Sequence, residues 1–214
     1  MKKTSEKELK KIGSHKPVTG RKIVGIAGGY CAGKNVLAEI LKENGYLEID
    51  VDKLGHEELE RSREKILRAF GKSVLGEDGA IDRKKLGNIV FRDKSKLKIL
   101  ESIVHPPMKE RVKAMVEGSR QNIVINAALL FSMELHRFCD VVICVKAPLL
   151  SRLRRATRRD GISLFQALGR IYRQRGICFN PSEDRVDTYI VWNSGDLDVF
   201  EEKAENLMRE MGLF

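Results

Sequence analysis

The chain has 214 residues and a formal net charge of +10, and 42% of its residues are hydrophobic. This size and apolar content predict one α/β domain with room for an inserted subdomain. No apolar stretch is long enough to span a membrane, and we recognise no signal peptide. The four cysteines form no C-x-x-C pair, which argues against a zinc site and a disulfide framework. We therefore expect a cytoplasmic protein.

The positive charge is concentrated in two segments. Residues 1–22 contain eight Lys or Arg and two Glu, and residues 152–175 contain eight Arg and one Asp. Such a balance raises the hypothesis of nucleic-acid binding. We interpret residues 1–21 instead as a solvated basic tail without stable structure, and the arginines of 152–175 as a phosphate-binding cluster. A nucleic-acid partner is therefore not expected beyond this tail.

The first predicted strand leads into a glycine-rich loop. Residues 22–27 form an apolar run typical of a buried strand, and residues 36–42 are apolar at helical spacing. Between them lies GGYCAGKN, which resembles the phosphate-binding loop (P-loop) G-x-x-x-x-G-K-[ST] in the strand–loop–helix setting that this motif requires. The nucleotide-binding residues predicted here are Gly28, Gly29, Tyr30, Cys31, Ala32, Gly33, Lys34, Asn35 and Val36.

Two residues of the P-loop carry separate expectations. Lys34 provides a positive charge for the outermost phosphates of a nucleotide such as ATP. Asn35 stands where the motif has the Ser or Thr hydroxyl that binds Mg²⁺, and its amide oxygen is a neutral, weaker ligand. We therefore predict ATP as the nucleotide, with Mg²⁺ bound mainly through water and only weakly by Asn35.

The other predicted strands are short apolar runs separated by helices. This alternation indicates an α/β fold with a doubly wound, parallel five-stranded sheet, and it places the ligand at the carboxyl ends of the strands. The later four strands are predicted over residues 46–50, 122–126, 141–145 and 188–192.

The predicted helices include a strand-poor block over residues 54–118, which indicates an inserted acceptor-binding subdomain. Asp82 is a predicted N-cap, and Ser163 with Gln166 has the spacing of a capping box. Within the block we predict helices over 57–70, 82–91, 95–104 and 108–117, and after it helices over 149–159, 163–174 and 197–211.

Two carboxylates follow the second strand. Alternate residues of a strand share a face, so Asp50 and Asp52 are both expected in the crevice beside the P-loop. Asp52 fits two roles, which the residues alone leave open. It is either a carboxylate that takes a proton or holds Mg²⁺ through water, or the N-cap of the helix that follows.

Arginines on the helix over 149–159 indicate a lid. Arg152, Arg155 and Arg159 share one face by their spacing, whereas Arg154 and Arg158 share another. We expect one face to contact phosphates while the other stays solvated. In the turn after the last strand, Asn193 either contacts the adenine or serves only to form the turn.

These features together resemble the dephospho-coenzyme A kinases from about residue 23 to residue 207. The matches include the P-loop through Lys34, the IDVD of residues 49–52, the block over residues 70–106, and the Arg159-Asp160-Gly161 and Asn193-Ser194-Gly195 motifs. The resemblance implies transfer of the γ-phosphoryl group of ATP to the ribose 3′-hydroxyl of dephospho-coenzyme A (dephospho-CoA), the last step of coenzyme A synthesis. It implies catalytic roles for Asp52, Lys34 and Arg155, and nucleotide binding by Arg159 and Asn193.

On this basis we divide the chain into a tail, 1–21, and one P-loop kinase domain, 22–214. The domain comprises a core over 22–53, 119–150 and 186–214, an acceptor subdomain over 54–118 and a lid over 151–185. Asn35, Ala128 and Ser132 depart from the family pattern, and Gly176–Pro181 aligns poorly with its lid. These departures keep two alternatives open: a catalytically impaired nucleotide- or CoA-binding homologue, or another small-molecule or nucleotide kinase.

Overall fold

The computed structural model of the chain describes residues 9–12, 20–174 and 186–214. Most of the predicted tail, 1–8 and 13–19, and the end of the predicted lid, 175–185, therefore lie outside the described residues, as does the Gly176–Pro181 stretch. Within the described part of the chain, no helix is long and apolar enough to cross a membrane.

A single sheet of six strands organises the described residues, in the order β1-β6-β5-β2-β4-β3. Strands β2 to β6 pair in parallel, which confirms the predicted parallel five-stranded sheet. The strands are β1 (Leu9–Ile12), β2 (Ile23–Gly28), β3 (Leu47–Asp50), β4 (Ile123–Asn126), β5 (Val141–Lys146) and β6 (Asp187–Trp192).

Strand β1 was not predicted, because residues 1–21 were expected to have no stable structure. It pairs antiparallel with the edge of the sheet, with Leu9 opposite Val191 and Ile12 opposite Thr188. A strand of four residues gives little sequence signal, and the exposed edge of β6 supplies the backbone partners that it needs. The expectation of an unstructured tail is therefore wrong for Leu9–Ile12.

The core of the sheet explains why its strands are continuous apolar runs. Helices α1 (Lys34–Glu43) and α8 (Leu197–Glu210) pack together on the sheet, and both contribute to one buried cluster with β2 and β5. Leu37 and Phe200 are almost fully buried in this cluster. Each buried side chain of this size contributes roughly 1.5–3 kcal/mol. The P-loop, between β2 and α1, is thereby attached to two rigid elements.

Residues Val51–Glu117 form a separate compact unit made of helices. These are α2 (Val51–Arg61), α3 (Arg63–Phe70), α4 (Arg83–Val90) and most of α5 (Lys94–Gly118). Asp82 is the N-cap of α4, as predicted: its carboxylate accepts hydrogen bonds from the backbone N–H groups of Lys84 and Lys85, at 2.8 and 3.1 Å. These two bonds lower the pKa of Asp82, chiefly the one from Lys85.

Three predicted helix boundaries in this unit are wrong, and the first is the start at residue 57, since α2 begins at Val51. The helix predicted over 57–70 is interrupted at Ser62, whose hydroxyl donates to the buried Glu58 at 2.8 Å. Conversely, α5 continues through Pro106 and Pro107, where a break was predicted. Prolines remove backbone donors, but the side chains on both sides of them share one buried face, and this tertiary packing stabilises the continuous helix. That face contains Val104, Met108, Val112 and Val116.

The described part of the predicted lid, up to residue 174, is formed by two helices, α6 (Leu149–Asp160) and α7 (Leu164–Arg173). Gly161 joins them with a positive φ of 62°, a conformation that glycine adopts without strain. Ser163 and Gln166 form the predicted capping box at the start of α7. These two helices pack against each other and lie in the same unit as the P-loop.

Candidate active site

The P-loop, residues 28–35, runs from the end of β2 into the first turn of α1, and close contacts explain its glycines. A side chain at Gly28 would meet the backbone oxygen of Val145 at 2.8 Å. Gly33 has a φ of 115°, and a Cβ there would lie 2.5 Å from Nδ2 of Asn193. The loop can therefore adopt this path only with glycine at these two positions.

A cavity of about 460 Å³ lies at the P-loop. It joins the loop to three arginines of α6, as expected for a site that binds several phosphates. Arg158 was assigned to the opposite helix face by the sequence analysis, but the structure places it in the lining. The lining comprises Gly29, Cys31, Ala32, Gly33, Lys34, Asn35, Val36, Arg155, Arg158 and Arg159.

Arg155 and Asn193 brace the loop from the side. One guanidinium nitrogen of Arg155 donates to the carbonyl oxygen of Cys31 at 3.5 Å, and the other donates to Oδ1 of Asn193 at 2.6 Å. Nδ2 of Asn193 donates to the carbonyl oxygen of Ala32 at 2.9 Å, and the residue is only 3% exposed. Asn193 thus supports the P-loop and Arg155 directly. Its contact with the adenine stays a prediction.

Tyr30 connects the P-loop to both lid helices. Its carbonyl oxygen accepts a hydrogen bond from Nε of Arg152 at 2.8 Å. Its hydroxyl donates to Asp160 and accepts from Arg170 at 3.0 Å. The guanidinium groups of Arg159 and Arg170 lie 5.5 and 5.4 Å from the ring centroid, within the range of a cation–π interaction.

Asp160 fixes the orientation of Arg159. Its two carboxylate oxygens accept from Nε and Nη2 of Arg159, at 2.7 and 3.1 Å. These bonds, followed by the one from Tyr30, lower the pKa of Asp160 to about 2. Burial, followed by the bond to Asp160, raises the pKa of Tyr30. At neutral pH the carboxylate is therefore charged, and the tyrosine keeps the proton that it donates.

The thiol of Cys31 is neutral at this site. The residue has a positive φ of 57°, and burial raises its pKa, while Arg159 offsets part of that effect. Cys31 contributes to the wall of the cavity as a small side chain.

Asn35, in the first turn of α1, lies within a short chain of polar groups that includes Asn126, at the carboxyl end of β4, and Glu48, in β3. Its Oδ1 accepts from Nδ2 of Asn126 at 3.3 Å, and the same nitrogen donates to Oε1 of Glu48 at 3.0 Å. Sequence reasoning missed Asn126 and Glu48. A polar residue that ends the apolar run of 123–126 was the available signal for Asn126.

Mg²⁺ binds oxygen ligands, commonly one or two carboxylates, phosphates and several waters. The amide oxygens of Asn35 and Asn126 and the carboxylate of Glu48 fit that chemistry. They are the side chains beside the P-loop that could hold a magnesium ion.

The position of Asp52 cannot be derived from the alternation of side chains along a strand. Strand β3 ends at Asp50 and helix α2 begins at once with Val51, so alternation of faces along a strand does not extend to Asp52. Asp52 lies in the first turn of α2, after its first residue, and is therefore not the N-cap. Asp52 belongs to the helical unit, and its catalytic role stays a prediction.

Comparison with known proteins identifies the family. A sequence profile described as dephospho-CoA kinase matches residues 22–198. The chain is 32% identical to the dephospho-CoA kinase of Carboxydothermus hydrogenoformans over 88% of this chain and 93% of that protein. It is 33% identical to the enzyme of the same name from Bacillus licheniformis, over 87% of this chain and 94% of that protein.

Solved structures agree with this result. The crystal structure of TT1252 from Thermus thermophilus superposes with a TM-score of 0.72 at 30% identity, covering 90% of this chain and 98% of the other. Dephospho-CoA kinase from Campylobacter jejuni gives 0.60 at 26% identity, over 88% and 96%. The predicted fold, enzyme class and family are thereby confirmed: the chain belongs to the dephospho-CoA kinase family.

Proposed function

We propose that the cavity at the P-loop binds the phosphates of ATP, and that the γ-phosphoryl group passes from there to the ribose 3′-hydroxyl of dephospho-CoA. The observation that carries this proposal is the lining of the cavity, which combines a P-loop and its lysine with three arginines. Phosphoryl transfer depends mainly on positioning and on stabilising charge on the phosphate oxygens, and this lining provides both. Family membership supports dephospho-CoA as the acceptor.

Both backbone groups and side chains bind the phosphates in this proposal. Backbone N–H groups of the loop and the N-terminus of α1 bind β- and γ-phosphate oxygens, and Lys34 adds a point charge. Arg155 and Arg159 reach the same cavity from α6, where Asn193 and Asp160 hold their guanidinium groups. Cations fixed in this way lose little freedom when the phosphates arrive.

Magnesium, when bound, would neutralise part of the charge on the phosphates. Asn35 and its polar neighbours would hold it, as their oxygen atoms allow. In the helical unit, Asp52 would orient or deprotonate the acceptor hydroxyl, in keeping with the match of residues 49–52 to the family. We place the protein in the cytoplasm, where its substrates would be available to it.

The direct test is a coupled assay with ATP, Mg²⁺ and dephospho-CoA. We expect product with the wild-type protein and a loss of kcat/KM of about 10²-fold or more in Lys34→Ala, because a charge aimed at the transferring group is removed. Circular dichroism would check that the variant folds. Equal turnover by the two proteins would contradict the proposal.

Asp52→Asn separates catalysis from metal holding. If Asp52 acts on the acceptor hydroxyl, kcat falls by roughly 10²-fold while the Kd for ATP with Mg²⁺ changes little. Equal losses in kcat and in nucleotide binding would instead assign Asp52 to the metal.

A nucleotide-binding homologue without turnover is the second candidate, favoured by Asn35 in place of the usual hydroxyl. Calorimetry that detects ATP binding, combined with an assay that detects no product from dephospho-CoA or from a panel of nucleosides and nucleotides, would establish it. Product from another acceptor alone would identify a different small-molecule kinase.

A further inference from the structure

The side-chain amide of Asn126 is half satisfied. The residue ends β4 and is only 3% exposed. Its Nδ2 donates to both Asn35 and Glu48, but its buried Oδ1 accepts no hydrogen bond from the described residues. Buried polar atoms in folded proteins nearly always have a partner, so this oxygen indicates a group that donates to it in the working protein.

The orientation of this amide is fixed by chemistry. An ionised carboxylate only accepts hydrogen bonds, so the Asn126 atom that faces Glu48 must be the nitrogen. The same nitrogen faces Oδ1 of Asn35. Rotating the amide would place oxygen against oxygen at the Glu48 contact. The orphan Oδ1 is therefore a property of the site.

Glu48 brings a negative charge close to the P-loop. Its Oε1 is bonded to the Asn126 nitrogen that also contacts Asn35, and Asn35 lines the phosphate cavity. Lys42 lies 3.8 Å from the other oxygen of Glu48 but only 2.8 Å from Glu39, so its closer partner is Glu39. The Glu48 side chain is 21% exposed, so its charge is partly shielded from water.

The described residues hold no group of three or more His, Cys, Asp or Glu side chains that could enclose a metal ion. Magnesium in a nucleotide site does not need such a group, because phosphates and waters fill most of its coordination positions. What it does need is nearby negative charge and acceptors for the hydrogens of its waters. Glu48 provides the first, and Oδ1 of Asn126 provides the second.

We propose that Glu48 and Asn126 are outer-sphere partners of the magnesium ion and compensate for the hydroxyl that Asn35 replaces. In this arrangement Asn126 connects the carboxylate to the P-loop, and its free oxygen accepts from a water of the hydrated ion. The inference rests on the proposed function, since it assumes that the cavity binds a magnesium nucleotide.

The test measures magnesium dependence without turnover. Binding of the non-hydrolysable ATP analogue AMPPNP is followed by calorimetry over a range of Mg²⁺ concentrations, for wild type, Glu48→Gln and Glu39→Gln. In Glu48→Gln, we expect that about three- to tenfold more Mg²⁺ is needed to reach half of the maximal gain in AMPPNP affinity. The reason is the loss of one negative charge near the ion. Without Mg²⁺ its affinity for the analogue should stay equal or rise, because a charge that repels phosphate is gone.

Glu39→Gln is the matched control, because Glu39 shares Lys42 with Glu48 but is 61% exposed and does not contact Asn126. It should leave the magnesium requirement unchanged. Asn126→Ala should raise that requirement as Glu48→Gln does, and electron paramagnetic resonance of Mn²⁺ with AMPPNP should show weaker ternary binding in both variants. Thermal melts would verify folding.

Three results would overturn the inference: a wild-type magnesium requirement in Glu48→Gln, an equal shift in the Glu39→Gln control, or an equal loss of affinity with and without Mg²⁺. The proposed function fails separately. If the wild-type protein forms no product from dephospho-CoA but the magnesium requirement shifts as expected, the kinase proposal is wrong and the metal partners stand.

Discussion

The first half of the P-loop, residues 28–32, contacts arginines, whereas in the second half, residues 33–35, Asn35 contacts an amide that is itself bonded to a carboxylate. Arg152 and Arg155 donate to backbone carbonyls of the first half, and two further arginines stack on Tyr30. On the other side, Asn35 is bonded to Asn126, which is bonded to Glu48. Phosphate oxygens are attracted to the arginines and to Lys34, and a hydrated cation to the polar groups around Asn35.

This difference separates two tasks that a P-loop performs together. The arginines and Lys34 can bind the phosphates strongly even if the metal is held weakly. The departure from the motif at Asn35 therefore affects one half only, and variants in the two halves should change different measured quantities.

Among variants that separate the two halves, the largest effect is expected from Arg155→Ala, which removes the α6 arginine that contacts the first half. It removes a cation from the cavity and leaves the buried Oδ1 of Asn193 without its donor. We expect the KM for ATP to rise about tenfold, as for the loss of a charged hydrogen bond, and kcat to fall. The control is Arg154→Ala, since Arg154 is exposed and does not line the cavity. Similar kinetics in the two variants would remove the distinction between the faces of α6.

Asn35→Ser tests the second half. A hydroxyl at this position restores the usual magnesium ligand, so kcat should rise about threefold to fivefold at limiting Mg²⁺. The KM for ATP at saturating Mg²⁺ should change little. Steady-state kinetics at several magnesium concentrations would measure both. A change in nucleotide affinity without any change in magnesium dependence would show that the halves are not separate.

A smaller effect is expected from Tyr30→Phe, which keeps the ring between the arginines but removes both hydroxyl contacts. These contacts are partly exposed, so we expect only about a twofold to threefold rise in the KM for ATP. Tyr30→Leu also removes the cation–π interactions, so its KM for ATP should rise by a further factor of about two to three. Tyr172→Phe, at an exposed tyrosine of α7, is the control. Equal kinetics for Tyr30→Phe and Tyr30→Leu would show that the aromatic ring contributes nothing to the KM for ATP.

The smallest effect concerns α1, the helix that begins in the second half of the loop. Just after this helix, the buried Tyr46 donates its hydroxyl to the carbonyl oxygen of Leu213 at 2.9 Å. Tyr46→Phe should lower the free energy of unfolding by about 1 kcal/mol at pH 7 and leave the kinetics unchanged. Denaturant unfolding would measure the change.

The contribution of Tyr46 to stability should also depend on pH. Burial raises the pKa of Tyr46 to about 12 in the folded chain, against about 10 when unfolded. Its contribution to stability is therefore complete below pH 10 and is lost as the pH rises towards 12. The difference in unfolding free energy between wild type and Tyr46→Phe should shrink over that window. A constant difference up to pH 12 would contradict this assignment.

Local sequence determined the P-loop, the parallel sheet and the capped helices, because each has a short-range cause. Glycines at fixed spacing, continuous apolar runs, and acceptors such as Asp82 and Ser163 act on neighbouring backbone atoms. The arginine cluster was also predictable as a phosphate site, since helical spacing brings its members together, although the spacing assigned Arg158 to the wrong face.

Tertiary structure alone decided the remaining features, because they join residues far apart in the chain. Strand β1 exists because β6 offers a free edge, and α5 passes two prolines because one buried face stabilises it on both sides. Asn193 became a brace for the loop, and Asn126 with Glu48 became neighbours of Asn35, through the order of strands in the sheet. Such pairings have no local signal, since their free energy comes from partners that only the folded chain brings within hydrogen-bonding distance.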